Sequence, residues 1–300
     1  MEKTPPFVSV IVPVYNAEGM VGDCIESLLN QDYPKDRYEI IVVDNDSADG
    51  TAAVIKRYPV QYMEERKQHN CYAAEDTGAR ASRGELLAFC DSDETATPSW
   101  IRTLVRELGD DCGAVAGPML PPPDEKGLFR LYAALDNNGN NFTQAGDVDR
   151  AAGGNLMFRR EVYEKLGGFN REVRSGADIE LSRRVHSELG LKLRFTPDAI
   201  VFHRPRTSLK KLLKHEARNG WAGEWLRRDR PRPLALILWH TAAKLVRHLG
   251  AGVMALVLFW RGALQKRFFF IGMNILMLSA NIYGRLRYRL GHSMPRNWAE

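Results

Sequence analysis

The chain alternates short apolar runs with stretches whose apolar residues recur at helical spacing. Phe7-Val8-Ser9-Val10-Ile11-Val12 is β-branched and reads as a first strand. Pro13-Val14-Tyr15-Asn16 is expected to end it, because proline cannot extend a ladder and asparagine suits a turn or a cap. From 18 to 30 the pairs Met20/Val21, Cys24/Ile25 and Leu28/Leu29 mark one face of a helix, with Tyr33-Pro34 at its exit. Glu39-Ile40-Ile41-Val42-Val43 reads as a second buried strand and runs into a polar turn, Asp44 to Thr51, that caps the next helix. Further along, strands are expected near Val60-Gln61-Tyr62-Met63, at 86–90 and at Ala114-Val115-Ala116. Helices are expected at about 72–82 and 98–108, the latter with Pro98 in its first turn. Regular strand–helix alternation predicts an α/β fold, a mostly parallel sheet with helices on both faces.

Past residue 117 the pattern changes. Pro121-Pro122-Pro123 and the polar run Asn137 to Asn141 read as an irregular insertion or acceptor-facing loop. Asn141-Phe142-Thr143 matches a glycosylation sequon, which carries no weight without a secretion signal. Ala151 to Phe158 is extended again, with glycines that suit close backbone approach. A helix at 160–166, a Gly167-Gly168-Phe169 turn and an amphipathic helix from about 175 to 189 follow. Short strands then form at Leu193-Arg194-Phe195 and Ile200-Val201-Phe202. Beyond His203-Arg204 the chain is helical and basic. It holds two apolar stretches, Leu249–Trp260, too short to span a bilayer, and Phe268–Gly284, at the lower limit and interrupted by Asn274 and Asn281.

Charge sharpens that division. Residues 1–203 hold 23 Lys and Arg against 33 Asp and Glu, whereas 204–300 hold 19 against 4. An acidic body with a basic tail points to a polyanionic surface as partner. An anionic membrane leaflet is favoured, ahead of a short transmembrane hairpin or a packed helical subdomain. Nucleic acid is set aside, because no recognisable binding motif accompanies the charge. The chain divides into an alternating strand–helix part at 1–117, a less regular part at 118–220, and a basic, apolar helical extension at 221–300. Cys24, Cys71, Cys90 and Cys112 show no C-x-x-C spacing, which fits a reducing compartment, and Cys90 reads as a small core residue. Met1 to Pro6 has no apolar stretch, so a cleaved signal peptide is not expected.

The chemistry gathers at Leu86-Leu87-Ala88-Phe89-Cys90-Asp91-Ser92-Asp93-Glu94. An apolar strand ends there in carboxylates, where open α/β sheets bind ligands. Asp91 and Asp93 can bear on one divalent cation, since Mg²⁺ and Mn²⁺ take hard oxygen ligands and leave positions for substrate phosphate. The plain alternative is a solvated acidic turn.

Five segments then match a known family in its order and spacing. They are VSVIVPVYNAE at 8–18, EIIVVDNDSADGT at 39–51, LLAFCDSDE at 86–94, AGGNLMFRREVYEKLGGFN at 152–170 and SGADIELSRRV at 175–185. The chain resembles family 2 glycosyltransferases with the GT-A fold, over roughly residues 7–220, which implies a nucleotide-binding part at 1–117 and an acceptor and catalytic part at 118–220 of one glycosyltransferase domain. The resemblance implies an inverting transferase that moves a sugar from a nucleotide-diphosphate sugar, UDP by default. The acceptor would be a hydroxyl of a saccharide or lipid-linked molecule, the cofactor Mn²⁺ or Mg²⁺, and the setting the cytoplasm at the inner face of the membrane. It places Pro13 and Tyr15 against the nucleotide base. Asp44 helps hold that base, with Asn45 standing where the family usually has a second aspartate and Asp46 next. Asp93 would contact the metal and Asp91 the sugar, ribose or metal. Gly154 and Asn155 would line the donor or acceptor site, and Asp178 would be the general base. His203 is a further metal candidate whose alternative is a packed strand-end histidine. Arg204 and Arg218 match loosely positions near the diphosphate, and Arg218 equally suits a surface-snorkelling role. For Asp178 the alternative is a first-turn acid favoured by the helix dipole. Two rivals remain. A nucleotidyltransferase would need a basic, glycine-rich loop where PVYNAEG stands, and a non-catalytic binding or scaffolding module would not need the acids.

Overall fold

The computed structural model describes residues 4–124, 146–204, 208–229 and 263–295, with positions 233 and 235. The sequon at 141–143 and the apolar stretch at 249–260 lie outside the described residues. The described residues up to 204 form one compact unit and the described residues from 208 a second.

In the first unit the elements run β1 (Val8–Val14), α1 (Val21–Leu29), β2 (Tyr38–Asp44), α2 (Thr51–Ile55), β3 (Gln61–Glu64), α3 (Cys71–Ala81) and β4 (Leu86–Phe89). Then come β5 (Glu94–Ala96), α4 (Trp100–Glu107), β6 (Cys112–Ala116), β7 (Met119–Leu120), β8 (Gly146–Asp147) and β9 (Leu156–Arg159). The unit closes with α5 (Arg160–Lys165), α6 (Ala177–Leu189), β10 (Lys192–Phe195) and β11 (Val201–His203). Among the described residues the main sheet has eight strands in the order β3-β2-β1-β4-β9-β6-β10-β8. β3, β2, β1 and β4 are parallel, as are β6 and β10, while β9 runs antiparallel between β4 and β6. A three-stranded sheet, β5-β11-β7, lies beside it.

The buried runs make these strands because both faces are covered. Val8, Val10 and Val12 pack on one side with Ile25, Leu28, Trp100 and Leu104. Ile11, Ile41, Val43 and Phe89 pack on the other with Tyr163, Phe169 and Leu181. Period-two alternation thus feeds two cores, the arrangement expected of a sheet covered on both faces.

Pro13 departs from the expectation that it ends the strand. It lies within β1, opposite Val43. The Ile11 carbonyl accepts from Cys90 N–H on the β4 side and the Val14 carbonyl from Asn45 N–H on the β2 side. By alternation Pro13 faces β4, where pairing stops at Ile11–Phe89, so its missing N–H costs no ladder bond. Pro98 likewise falls just outside its helix, which starts at Trp100.

The second unit contains α7 (Leu209–Trp225), which runs unbroken across residue 220, and α8 (Ala263–Arg289). The two helices pack at very short range. A Cβ on Gly220 would strike the Asn281 carbonyl, and one on Gly284 the Ala217 carbonyl. Glu224, buried in this pair, accepts from Arg285 at 2.7 Å and Arg289 at 2.8 Å. Asn281, the residue that sits uneasily in a lipid-facing span, reaches back to the Glu216 carbonyl at 3.3 Å. Among the described residues no helix is long and apolar enough to cross a membrane.

Candidate active site

Parallel pairing brings the C-terminal ends of β1, β2 and β4 to one edge. β9, being antiparallel, brings its N-terminal end there too, with Leu156 opposite Phe89. From β2 to β9 the edge spans three strand spacings, about 14 Å. Tyr15, two-fifths exposed, stands at the end of β1. Pro13 is buried beneath it in the strand.

Asp44 closes β2 and is buried. It accepts from Ser47 N–H at 2.9 Å and the Tyr62 hydroxyl at 3.2 Å. Burial, then hydrogen bonding to Glu64 and the charge of Asp44, pushes the Tyr62 hydroxyl up. Asn45 turns its amide to the Glu65 and Gln68 carbonyls, both at 2.8 Å. Arg171 fixes that loop, reaching the Glu65 carboxylate at 2.5 Å, Gln68 Oε1 at 2.8 Å and buried Asp76 at 3.2 Å. Of the acids after β2, Asp44 is therefore placed at the edge, while the Asn45 amide supports a loop. Asp46, left-handed at φ 67°, is exposed.

The D-x-D stretch forms a turn closed at both ends. Glu94 N–H donates to the Asp91 carbonyl at 3.1 Å, and Asp91 N–H donates to Glu94 Oε2 at 3.0 Å. Glu94 then starts β5 and pairs with His203 on β11. That register sets His203 Nε2 3.4 Å from Asp93 Oδ2. Arg204 N–H donates to the Asp93 carbonyl at 3.1 Å, while its guanidinium pairs with Asp23 on α1. Glu94 is fully buried and its Oε1 has no hydrogen-bond partner. Burial, then the charges of Asp91 and Asp93, holds its carboxyl well above the usual range.

Residues 153–155 close over these acids. Gly154, at φ 91°, comes so near that a Cβ would lie 2.8 Å from Glu94 Oε1 and 3.0 Å from Asp91 Oδ2. Gly153 N–H donates to Asp178 Oδ2 at 2.5 Å. Asp178 lies in the first turn of α6, which begins after left-handed Gly176 with no side-chain cap. Its other oxygen accepts from the Tyr72 hydroxyl at 2.8 Å, and that hydroxyl accepts from Gly176 N–H at 2.9 Å. Ser182, one turn on, holds both the N–H and the carbonyl of Ala151. Asp178 thus grips the 151–154 turn instead of capping its own helix.

Asn155, for which the family resemblance implies a place lining the donor or acceptor site, turns its side chain into the fold. It is fully buried, its Oδ1 accepting from Trp100 Nε1–H at 2.8 Å and its amide donating to the Pro118 and Ala199 carbonyls at 2.9 and 2.7 Å. Its main-chain carbonyl accepts from Gly117 N–H at 3.2 Å. It staples the point where the chain leaves β6 to the point where it enters β9. Arg218 lies in the second unit. Tyr72, Glu75, Glu94, Gly153 and Arg171 join the site without being singled out in the sequence. Glu75, on α3 one turn after Tyr72, is buried with Oε2 unpartnered, and burial, then Asp91 and Asp178, pushes its carboxyl well up.

Among the described residues no three His, Cys, Asp or Glu side chains form a ready-made cation cage. The donors fit a cation held the other way, by one or two carboxylates with the rest from substrate phosphate. Asp91 and Asp93 are hard donors, His203 is beside them, and Glu94 adds a buried carboxyl oxygen with no hydrogen-bond partner. A cavity of about 430 Å³ lined by Glu85, Leu86, Arg159 and Arg160 opens at the opposite end of β4 and includes none of these acids.

The chain is similar to several known proteins. The sequence profile of the family described as Glycosyl transferase family 2 matches residues 9–167. Glycosyltransferase AglE of Haloferax volcanii is 32% identical over 251 residues, covering 80% of this chain and 81% of that protein. The mannosyltransferase PcManGT of Pyrobaculum calidifontis, solved with GDP-Man and Mn²⁺, superposes with a TM-score of 0.68 at 22% identity, covering 97% of this chain and 89% of that one. Residues 1–349 of S. aureus TarS, solved with UDP-GlcNAc, superpose with a TM-score of 0.56 at 15% identity, covering 96% and 93%.

Proposed function

The chain belongs to glycosyl transferase family 2 and is a glycosyltransferase of GT-A fold, and from that premise we propose inverting transfer from a nucleotide-diphosphate sugar to an acceptor hydroxyl. One observation carries the reading. The consecutive residues Gly153 and Gly154 touch, respectively, Asp178 and the Asp91–Glu94 turn, so a candidate base and a candidate phosphate–metal site stand on either side of one turn. The nucleotide would lie along the strand edge, its base against Tyr15 and Pro13 with Asp44 beside it, and its diphosphate toward Asp91 and Asp93.

Asp91 and Asp93, with His203 adjacent, would hold Mn²⁺ or Mg²⁺. The bound ion would supply charge neutralisation to the departing diphosphate. Asp178 accepts the proton of the acceptor hydroxyl as its oxygen bonds to the anomeric carbon and the carbon–phosphate-oxygen bond breaks, releasing the nucleoside diphosphate. Tyr72 and Gly153 fix the carboxylate, each donating one hydrogen bond to it. The acceptor is a saccharide or lipid-linked hydroxyl. The partner surface is an anionic membrane, supported by the basic excess after residue 203. Solved proteins of this fold with UDP- and GDP-sugars support the donor class.

The test is donor hydrolysis across UDP-, GDP- and dTDP-sugars with Mn²⁺ or Mg²⁺, repeated with EDTA. One nucleotide diphosphate should be released, and release should be lost with EDTA and in Asp93→Ala. Asp178→Asn should abolish transfer while nucleotide binding persists. Near-normal turnover in Asp178→Asn would remove the base assignment. Absence of any metal-dependent nucleotide binding by calorimetry would favour a scaffolding module.

A further inference from the structure

Helix α8 carries two apolar faces. One faces α7, where Met273 and Met277 pack with Leu212 and the Tyr288 ring meets Trp221 edge-on at 5.1 Å. The other is solvent-exposed. Among the described side chains, Ile275, Leu276, Tyr283, Leu286 and Leu290 are the exposed large hydrophobics of α8 and the residue after it, with Leu290 at 72% and Tyr283 at 51%. At 100° per residue these five fall within an arc of about 100° and run for about 22 Å along the helix. Ser279 is the polar position within that arc. Arg287 flanks it, with its guanidinium 5.9 Å from the Tyr283 ring centroid. A soluble surface helix puts polar groups where this one puts leucines.

We propose that this face of α8 is a membrane-docking surface for an anionic lipid leaflet, lying in the plane of the interface. Three observations commit the occupant. Among the described residues no helix is long and apolar enough to cross a membrane. The segment 204–300 carries 19 basic against 4 acidic residues, a charge complementary to anionic headgroups. A stripe of Leu and Ile with a tyrosine, bordered by arginine, is the pattern of an interfacial helix. A second protein copy would need no such charge excess. The inference rests on the proposed transfer reaction only for its purpose, which is to bring the enzyme to a lipid-linked acceptor.

The experiment is flotation of the full chain with vesicles of equal parts phosphatidylglycerol and phosphatidylcholine, and with phosphatidylcholine alone, at low and high salt. Wild type should float with the anionic vesicles and much less with the neutral ones or at high salt. Leu276→Glu and Leu290→Glu should each lower partitioning by at least about tenfold, the order expected when one leucine side chain is kept from an apolar phase. Leu290→Met should float as wild type, and circular dichroism should show all variants folded. Unchanged flotation of both glutamate variants overturns the proposal. So does a dimer-to-monomer change in light scattering with flotation unchanged, which would assign the face to a second copy. Donor hydrolysis on the same samples separates the two ideas. Stripe variants that lose flotation should keep hydrolysis, and a floating wild type that hydrolyses no donor would sink the transferase reading alone.

Discussion

Replacing Gly154 with alanine tests the turn that joins the two acid groups. At φ 91° an L-residue pays about 1–2 kcal/mol. The new Cβ would lie 2.8 Å from Glu94 Oε1 and 3.0 Å from Asp91 Oδ2, against the 3.4 Å at which ordinary contact begins. The carboxylates must therefore retreat by about 0.6 and 0.4 Å. Crowding a packed interior adds about 1–3 kcal/mol. The sum, about 2–5 kcal/mol, lies below or at the low end of typical domain stability, so the variant should fold with a lowered melting temperature. Its larger effect should be catalytic. A displacement of about 1 Å can cost a hundredfold in rate, so half of that should cost roughly tenfold. The assay is nucleotide release titrated with Mn²⁺. Gly154→Ala should need more cation for half-maximal rate, because Asp91 is the group displaced. Gly153→Ala is the control, since its Cβ would meet Asp178 at 3.3–3.4 Å, which is tight but bearable. It should lower the maximal rate without moving the cation requirement. A Gly154→Ala enzyme with wild-type cation dependence would refute the placement of the cation at this turn.

Two further outcomes follow from named contacts. Tyr72→Phe removes the donor to Asp178 and leaves Gly176 N–H without its acceptor, so turnover should fall by about ten- to a hundredfold with donor KM unchanged, and stability should drop by about 1–3 kcal/mol. An equal loss in KM would place Tyr72 on the donor instead. Glu75→Gln should raise stability at neutral pH. Burial holds this carboxyl protonated in the fold, whereas the unfolded chain ionises near its ordinary value of 4.5. The folded state therefore binds more protons above that pH, and stability falls as pH rises. The variant should lack that decline in urea midpoints measured between about pH 5 and 8, and an unaltered pH profile would show that Glu75 is not held neutral.

The strands facing two cores were readable because burial on both sides demands continuous β-branched runs, as in Val8–Val14 and Tyr38–Asp44. β5 was not readable, because Glu94-Thr95-Ala96 is a strand only through its pairing with Val201–His203, more than a hundred residues away. The antiparallel sense of β9 left no local trace either, although its glycine-led start did. At the site, Asp91, Asp93 and Asp178 stood out through their motifs. Tyr72 and Glu75 sit one turn apart on an alanine-rich helix and carry no pattern that marks them. Asn155 lay in the right segment, yet its side chain serves Trp100, Pro118 and Ala199. Sequence position names a neighbourhood, and the hydrogen-bond partners decide the duty.

The Asn155 staple has a consequence for how such an enzyme can change. Strand β6 leaves the sheet at Gly117 and β9 enters beside it, with Gly117 N–H on the Asn155 carbonyl and the Asn155 amide on the Pro118 carbonyl. The chain therefore leaves β6 and enters β9 at a single clasp. Doubling the length of such an excursion adds only about 0.6 kcal/mol of closure entropy. A change of chain length between β7 and β8 would leave that clasp in place, so β6 and β9 should keep their register.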